Sequence, residues 1–427
     1  MTAFIPASAW VEGPSTALAT TPLSAGETCD LAIVGGGILG LRAALDAARR
    51  GLAVRVVDAA LVGDKASGLN GGQVIAGFKY DPDWLIGHFG EKRGEALIQF
   101  GSTMPDAVYD LIDRELLKVP HERNGWIQAA HSEVAMHAVE QRAKQWIARG
   151  VPAKLLNAEE IARLTGARGY LGGWLDPRGG AIQPLAYTRE LARVALEAGA
   201  RIAENTRIAR IAKENADWTL HTVDGRALRA KFVLVATNAY ADGLVPGLAR
   251  TLLPLHSFQI ATVPLPSSAL ASILPEGQVV SDSRRIVTYY RRGPGGRLLL
   301  GGRGSTAEPT SARGWAHLEH ALKRLFPVLK DVAIEKRWYG KVALTLDHLP
   351  HVYEPEPGLV IAAGCQGRGV GLMSALAPSL VDYFVSRDPE SIPFPITPIR
   401  PIPFHAFRNV GISAAIAWYT LADMLEH

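Results

Sequence analysis

The chain has 427 residues, 48% hydrophobic and 20% charged, with a net charge of +4. That is length for two or three domains with a large core, and with no dense Lys/Arg run of the kind that tracks nucleic acid, no nucleic-acid partner is expected. Two cysteines, Cys29 and Cys365, make neither a disulfide framework nor a CxxC metal pair, so no metal is expected and a reducing cytoplasmic compartment suits the chain.

No apolar run reaches the ~18 residues of a membrane span, and the N-terminus lacks the basic-then-apolar order of a signal peptide. Met1–Glu27 is rich in Ser, Thr, Ala and Pro and reads as an extended arm pinned by Trp10. The apolar run Leu31–Val34 then leads into Gly35-Gly-Gly37-Ile38-Leu39-Gly40. A helical pattern, Leu41–Arg50, is closed by Gly51, and a second apolar run, Ala53–Val57, ends in Asp58 and Ala59. Strand, glycine turn, helix, strand and terminal acid in this order form a dinucleotide-binding unit. Gly35 permits the tight turn, Gly37 lets backbone N–H groups approach a pyrophosphate, and Gly40 lets the helix pack close. The helix N-terminus faces the phosphates. Asp58 is placed to accept from ribose hydroxyls, which favours FAD or NAD over NADP.

The next stretch, with Ser67, Gly68, Asn70, Gly71, Gly72 and Gln73, reads as a second backbone-led ligand loop. Phe78–Trp84 carries Lys79, Tyr80 and Asp81 toward the substrate side. Glu91–Leu116, Glu133–Arg149 and Pro184–Ala198 have helical spacing, and Glu159–Leu164 is a helical turn. Gly172–Gly180 is turn-rich. Arg201–Ile202, Arg207–Ile211, Trp218–His221 and Ala227–Val235 form a meander that runs into Ala236-Thr237-Asn238-Ala239-Tyr240, where backbone again approaches a cofactor.

Leu252–Leu265 reads as strand, and Arg285–Arg291 with Arg297–Gly301 as a hairpin. Ala316–Phe326 is helical, and Lys336–Leu346 and Leu359–Ala362 are strands. Gly364-Cys-Gln-Gly367-Arg368-Gly369-Val370 leads into a helix, Leu372–Ser386, a second place where a helix N-terminus faces a ligand. After a proline-rich linker, Gly411–Leu425 closes the chain, expected to pack on the nucleotide lobe; the alternative, peripheral contact with the inner face of a membrane, has almost no Lys or Arg to support it. Cofactor-type segments thus recur at the start, middle and end. They divide the chain into an arm (1–27), a discontinuous nucleotide-binding domain (28–91, 154–249 and 336–427, the last with the C-terminal helix) and a substrate domain (92–153 and 250–335).

These motifs, together with Tyr289-Tyr-Arg291, Arg297-Leu-Leu-Leu-Gly-Gly302, Trp338-Tyr-Gly340 with Thr345, and Tyr419 with Asp423, resemble the D-amino-acid-oxidase-like FAD-dependent oxidoreductases, and within that family the γ-glutamylputrescine-oxidase-like branch. The resemblance runs from about Ser8 to the C-terminus. It implies an α/β fold: a discontinuous Rossmann-like FAD-binding domain roofed by a mixed-sheet α+β substrate domain. It implies non-covalent FAD, since relatives with covalent flavin use a Cys or His and no cysteine lies in Trp338–Thr345. Cofactor contacts are implied at Gly35, Gly37, Ile38, Leu39, Gly40, Asp58 and Ala59, then at Ser67, Gly68, Asn70, Gly71, Gly72 and Gln73. Further contacts are implied at Ile208, Thr237, Asn238, Tyr240 and Gly340, and in the late turn at Gly364, Gly367, Arg368, Gly369 and Val370.

The implied reaction is hydride transfer from a small-molecule amine or amino acid to flavin N5. It gives an imine, then an aldehyde and ammonia, and oxygen or an electron-transfer partner reoxidises the flavin. The alternative is an amino-acid or cyclic imino-acid oxidase or dehydrogenase, pipecolate- or proline-like, that passes electrons to oxygen or a membrane carrier. A flavin-bearing tRNA-modifying module and a redox-inert scaffold are disfavoured by the missing basic stripe and the retained glycine turns. Departures from the family fall at Leu69, commonly Arg; at Gly371, where sarcosine-oxidase-like relatives carry a carboxylate-holding Lys; and at Leu299, in place of a Lys near the oxygen site. Candidate catalytic residues are Gln73 at the flavin edge, Tyr290 and Arg368. Arg368 could hold a carboxylate in a bidentate pair. Tyr289, Tyr290, Arg291 and Arg292 alternate on one strand, so either Tyr290 with Arg292 or Tyr289 with Arg291 meets the substrate. Lys79, Asp347 and His348 are secondary candidates, and Cys365 is expected to be a small packed residue.

Overall fold

The opening strand β1 (Glu27–Val34), helix α1 (Ile38–Arg49) and strand β2 (Val54–Val57) form the expected strand–turn–helix–strand unit. The computed structural model describes residues 7–12, 18–305 and 307–426. β1 pairs in parallel with β2 and with Ala227–Val235. Leu31–Val34 is buried because the sheet is covered on both faces there. α1 packs against Pro184–Glu197 and the long helix Gly369–Ser386. A Cβ at Gly40 would stand 2.0 Å from the Gly35 carbonyl oxygen, so glycine is what lets α1 sit this close to β1.

The first sheet runs Ile208–Glu214, Asp217–Thr222, Ala227–Val235, β1, β2, Arg201–Ala203, with Leu359–Ala363 and His351–Glu356 added beside Ala227–Val235. The second sheet has eight strands, in the order Ile334–Leu344, Leu253–Thr262, Leu298–Arg303, Thr288–Arg292, Val279–Asp282, Trp126–Ala130, Gly172–Asp176, Lys154–Asn157. One of its faces builds a core of Phe258, Ile260, Tyr290 and Leu300 with the helix Ala316–Leu325. The other face looks across to the first lobe, where a short helix α2 (Ala66–Leu69) and strand β3 (Gln73–Val74) meet it.

The structure differs from the sequence reading at identifiable places. Glu91–Leu116 is two helices, Glu91–Thr103 and Asp106–Arg114, because Pro105 interrupts the pattern. Gly172–Gly180 is not all turn: Gly172–Asp176 and Gly180–Ile182 are strands, and glycine serves Gly173 because a Cβ there would meet the Gln128 carbonyl at 2.5 Å. By sheet membership, Lys154–Asn157, Gly172–Asp176 and Ile334–Leu344 go with the second lobe rather than the first. They are antiparallel neighbours of Trp126–Ala130 and Leu253–Thr262, a pairing without local signal.

Among the described residues the polar anchors of the closing helix, Arg408–Leu425, lie on the second lobe, whereas packing on the first was expected. Asp423 accepts from the backbone N–H groups of Arg285 and Ile286 at 3.2 Å, and Arg285 pairs with both Asp423 and Glu426. His131, Asp423 and Glu426 converge there, with Arg285 already on both carboxylates. The helix leaves Val410, Trp418, Leu421 and Leu425 exposed. Gly369–Ser386 is long and apolar enough to cross a membrane by length and composition, but it is largely buried as a core helix between α1 and Asp106–Arg114.

Candidate active site

The predicted cofactor segments converge at the C-terminal ends of the parallel strands, the edge where open α/β sheets bind ligands. Gly35, at φ +114°, turns the chain off β1 against the backbone of Ala236. Asp58 accepts from Gly36 N at 2.6 Å and Ala60 N at 2.8 Å; burial pushes its carboxyl up while these bonds hold it down. Ala59 beside it is exposed. Ile38 and Leu39 are buried in the core, and their backbone forms the first turn of α1.

The first free N–H of α1, on Ile38, donates to Ser67 Oγ at 3.1 Å. α2 thus carries a hydroxyl to the helix N-terminus. Gly68 is required for that approach, since a Cβ would lie 2.0 Å from the Gly63 carbonyl. Asn70 closes the loop: its Nδ2 donates to Ser67 O and Ala66 O, and its Oδ1 accepts from Gly72 N. Gly71 lies against Tyr289, and Gly72, at φ +69°, against the Ile182 carbonyl. Gly340 of the second sheet sits over Leu69 and Ala66.

Thr237 leads into the turn Asn238–Tyr240, and Asn238 Oδ1 accepts from Gly364 N at 3.0 Å, which joins that turn to the late glycine turn. In the late turn Gly364 and Gly367 have positive φ, and Gly369 and Val370 start the long helix. Gln366 donates to Thr345 Oγ1 and Leu349 O, but its Oε1 is buried without a partner. Ile208 faces the core of the first lobe; Thr206 N, just before it, donates to Asp58 O, so this segment borders the site through backbone.

Two catalytic expectations change. Tyr290 is fully buried on the core face of its strand, edge-on to Phe326, because the pleat turns it away from the cleft. Tyr289 takes the cleft face instead, its hydroxyl 2.8 Å from Ser257 Oγ, and burial pushes that phenol up to about 12. The arginines of this strand are both committed. Arg291 donates to Ile182 O and Gly72 O, and Arg292 to Ile273 O. Gln73 is committed too: its Nε2 donates to Val280 O and its Oε1 accepts from Ser281 Oγ, which staples β3 to the second sheet.

Arg368 is brought into the site. It precedes the long helix, donates to Ala76 O at 2.7 Å and lies 5.7 Å over the Trp126 ring. Burial, then the charge of Arg142, pushes its guanidinium down to about 10. Arg142 itself pairs with Asp81 and donates to Gln128 Oε1 and Lys79 O.

Sequence reasoning missed Arg303. It follows Leu299 and Gly301 on the cleft face of Leu298–Arg303, and stands opposite Ser257. Period-two counting from Gly301 is the signal that would have found it. Burial lowers its pKa, and its charge helps to lower those of Lys79 and His348, after burial in both. Tyr80 OH donates to Asp347 O at 2.8 Å, which ties the Lys79 segment to the His348 turn. Among the described residues, neither Arg303 nor Lys79 nor Arg368 has a carboxylate within ion-pair distance.

A profile of the FAD dependent oxidoreductase family matches residues 30–382. The chain is 30% identical over 406 residues to the gamma-glutamylputrescine oxidoreductase of Escherichia coli (strain K12), covering 93% of each chain. It is 29% identical over 422 residues to the probable oxidoreductase OrdL of Rhizobium meliloti (strain 1021), covering 98% of each. Among solved structures, glycine oxidase from Geobacillus kaustophilus superposes with a TM-score of 0.73 at 25% identity, over 87% of this chain and 99% of that one.

Proposed function

The chain belongs to the family of FAD-dependent oxidoreductases, and on that premise we propose that it oxidises the C–N bond of an amine whose far end carries a carboxylate, of the γ-glutamylputrescine type. The residues fit the cofactor. A Cβ at Gly37 would fill the space before α1, next to Ser67 Oγ, and the buried Oε1 of Gln366 beside the late glycine turn lacks a partner. Trp338–Thr345 holds no Cys or His, and Cys365 is packed against Ala343 O, which supports non-covalent binding. When bound, FAD supplies the acceptor for a hydride from the carbon next to nitrogen.

The protein's own part is to bind, orient and exclude water. Its glycine turns and Ser67 would hold the pyrophosphate at the α1 N-terminus. Gln73 keeps β3 fixed against Val280 and Ser281, so it positions the loop rather than touching the reacting carbon. The Tyr289 hydroxyl, its phenol pushed up to about 12 by burial, stays protonated on the cleft face beside Ser257 Oγ. Arg368 takes the substrate carboxylate. The observation that carries this reading is the surplus of unpaired positive charge from Arg368, Arg303 and Lys79 along one cleft, which an anionic amine would neutralise. The discontinuous division of the chain belongs to the same proposal, with the three strands reassigned above counted in the substrate lobe.

A second reading is an amino- or imino-acid oxidoreductase in which Arg368 holds the α-carboxylate. The test is anaerobic bleaching of the flavin by a panel of amines and amino acids, followed by air. Bleaching by acylated polyamines supports the first reading. Bleaching by proline-like or other α-amino acids alone overturns it in favour of the second.

A further inference from the structure

The N-terminal segment Ala7–Glu12 lies apart from the dinucleotide unit in sequence, yet it is built into the cofactor side of the molecule. Ala7 N donates to Arg337 O at 3.0 Å, bridging to the second sheet. Trp10 is almost fully buried, edge-on to Trp338 with ring centroids 6.0 Å apart, and the Arg291 guanidinium lies 5.5 Å over its ring. Its carbonyl accepts from Gln183 Nε2 at 2.7 Å, and Gln183 in turn caps the helix Pro184–Glu197 of the first lobe. Its indole Nε1 donates to Asn70 O at 2.9 Å.

The last bond leads to the N-terminus of α1. Asn70 donates to Ser67 O, and Ser67 Oγ accepts from Ile38 N at the start of α1. On its other side the same loop is held through Leu69 O by Trp338 Nε1 and Gln259 Nε2. From this chain of contacts we infer that Trp10 is a positioning residue for FAD: its indole fixes the loop that carries Ser67 to the pyrophosphate end of α1, and so sets how tightly the cofactor is held. The inference does not depend on which amine is oxidised. A loop held from one side only would keep Leu69 in place but let Asn70, and with it Ser67, drift from the helix.

The experiment measures FAD release from the purified holoenzyme by the recovery of flavin fluorescence, with the thermal midpoint of the apoprotein as the second readout. Trp10→Phe keeps the ring and its packing on Trp338 but loses the N–H. It is expected to speed FAD release about fivefold, the worth of one such hydrogen bond. Trp10→Ala is expected to speed release at least about tenfold. In Trp10→Phe the apoprotein midpoint should stay within about 3 °C of the parent, whereas Trp10→Ala also opens a cavity and lowers it further. FAD release within about twofold of the parent in both variants would overturn the assignment. So would an apoprotein midpoint of Trp10→Phe that falls as far as the holoenzyme's, since the segment would then stabilise the fold without acting on the cofactor.

Discussion

Gly37→Ala isolates the anion-binding end of α1. Gly37 has φ −90° and ψ −173°, extended backbone that alanine adopts without strain, so only space is perturbed. The new Cβ would lie 2.7 Å from Ser67 Oγ. That atom ends a side chain that can rotate, so the fold survives, but rotation breaks its 3.1 Å bond with Ile38 N. In the proposed site the methyl would also stand where the pyrophosphate would meet the helix N–H groups. Losing the Ser67 bond costs about 1 kcal/mol of fold stability with or without FAD, and weakening one charge-assisted N–H bond to phosphate would cost about 2 kcal/mol of binding. At 1.36 kcal/mol per decade, ~2 kcal/mol is about thirtyfold in FAD affinity. The assay is titration of apoprotein with FAD by quenching of flavin fluorescence. Gly40→Ala is the control, because its Cβ would meet a backbone oxygen at 2.0 Å and the fold itself would fail. An FAD affinity for Gly37→Ala within about threefold of the parent would refute the pyrophosphate assignment.

Arg368→Ala should raise the KM for a carboxylate-bearing amine at least about tenfold while changing the KM of an uncharged amine little, the signature of a lost charge-assisted pair; equal effects on both substrates would remove Arg368 from carboxylate binding. Arg303→Leu should lower kcat/KM for the same anionic substrate about tenfold, and steady-state kinetics unchanged for that substrate would speak against a cationic cleft. Tyr290→Phe should leave kcat and KM within about twofold, and a tenfold drop would return that residue to the site. Arg49 and Arg114 hold the Glu115 carboxyl at about 2, below its ordinary 4.5, so the cluster stabilises the fold above pH 4.5 and that contribution is lost as pH falls toward 2. Glu115→Gln should therefore cost on the order of 1 kcal/mol at neutral pH, with the gap closing in acid denaturation curves near pH 2.

The dinucleotide unit was legible because each of its requirements is local. Gly35, Gly40 and Asp58 serve contacts within the span of one strand–helix–strand unit, and spacing alone encodes them. The second lobe was legible in part. The alternation of Tyr289 and Tyr290 told that one of them meets the cleft, but which one depends on the register of Thr288–Arg292 against Leu298–Arg303, and register is a tertiary fact. Gln73 and Arg291 looked like ligand residues because buried polar side chains near glycines usually are; here the partners that satisfy them come from strands far along the chain, such as Val280 O and Ile182 O. Arg303 was overlooked because it follows the hairpin's expected end at Gly301, and the strand continues through it. The docking of the closing helix rested on Asp423 meeting Arg285, an ion pair that no periodicity announces.

The pairing of β1 has a consequence for the order in which the molecule can be made. Leu31 sits beside Phe232 and Val34 beside Val235, with β1 central in its sheet. On a ribosome the first strand therefore emerges roughly two hundred residues before the neighbour on one of its edges. At translation speeds of about 5–20 residues per second that is on the order of 10–40 s, during which an apolar strand has β2 alone for company. The chain cannot finish its leading domain first and then add the second, because the leading domain is completed only by Leu359–Ala363. Nascent protein of this design is exposed to wrong pairing until Leu359–Ala363 has emerged, and the late glycine turn Gly364–Val370, proposed to line the cofactor site, joins the first lobe only after that.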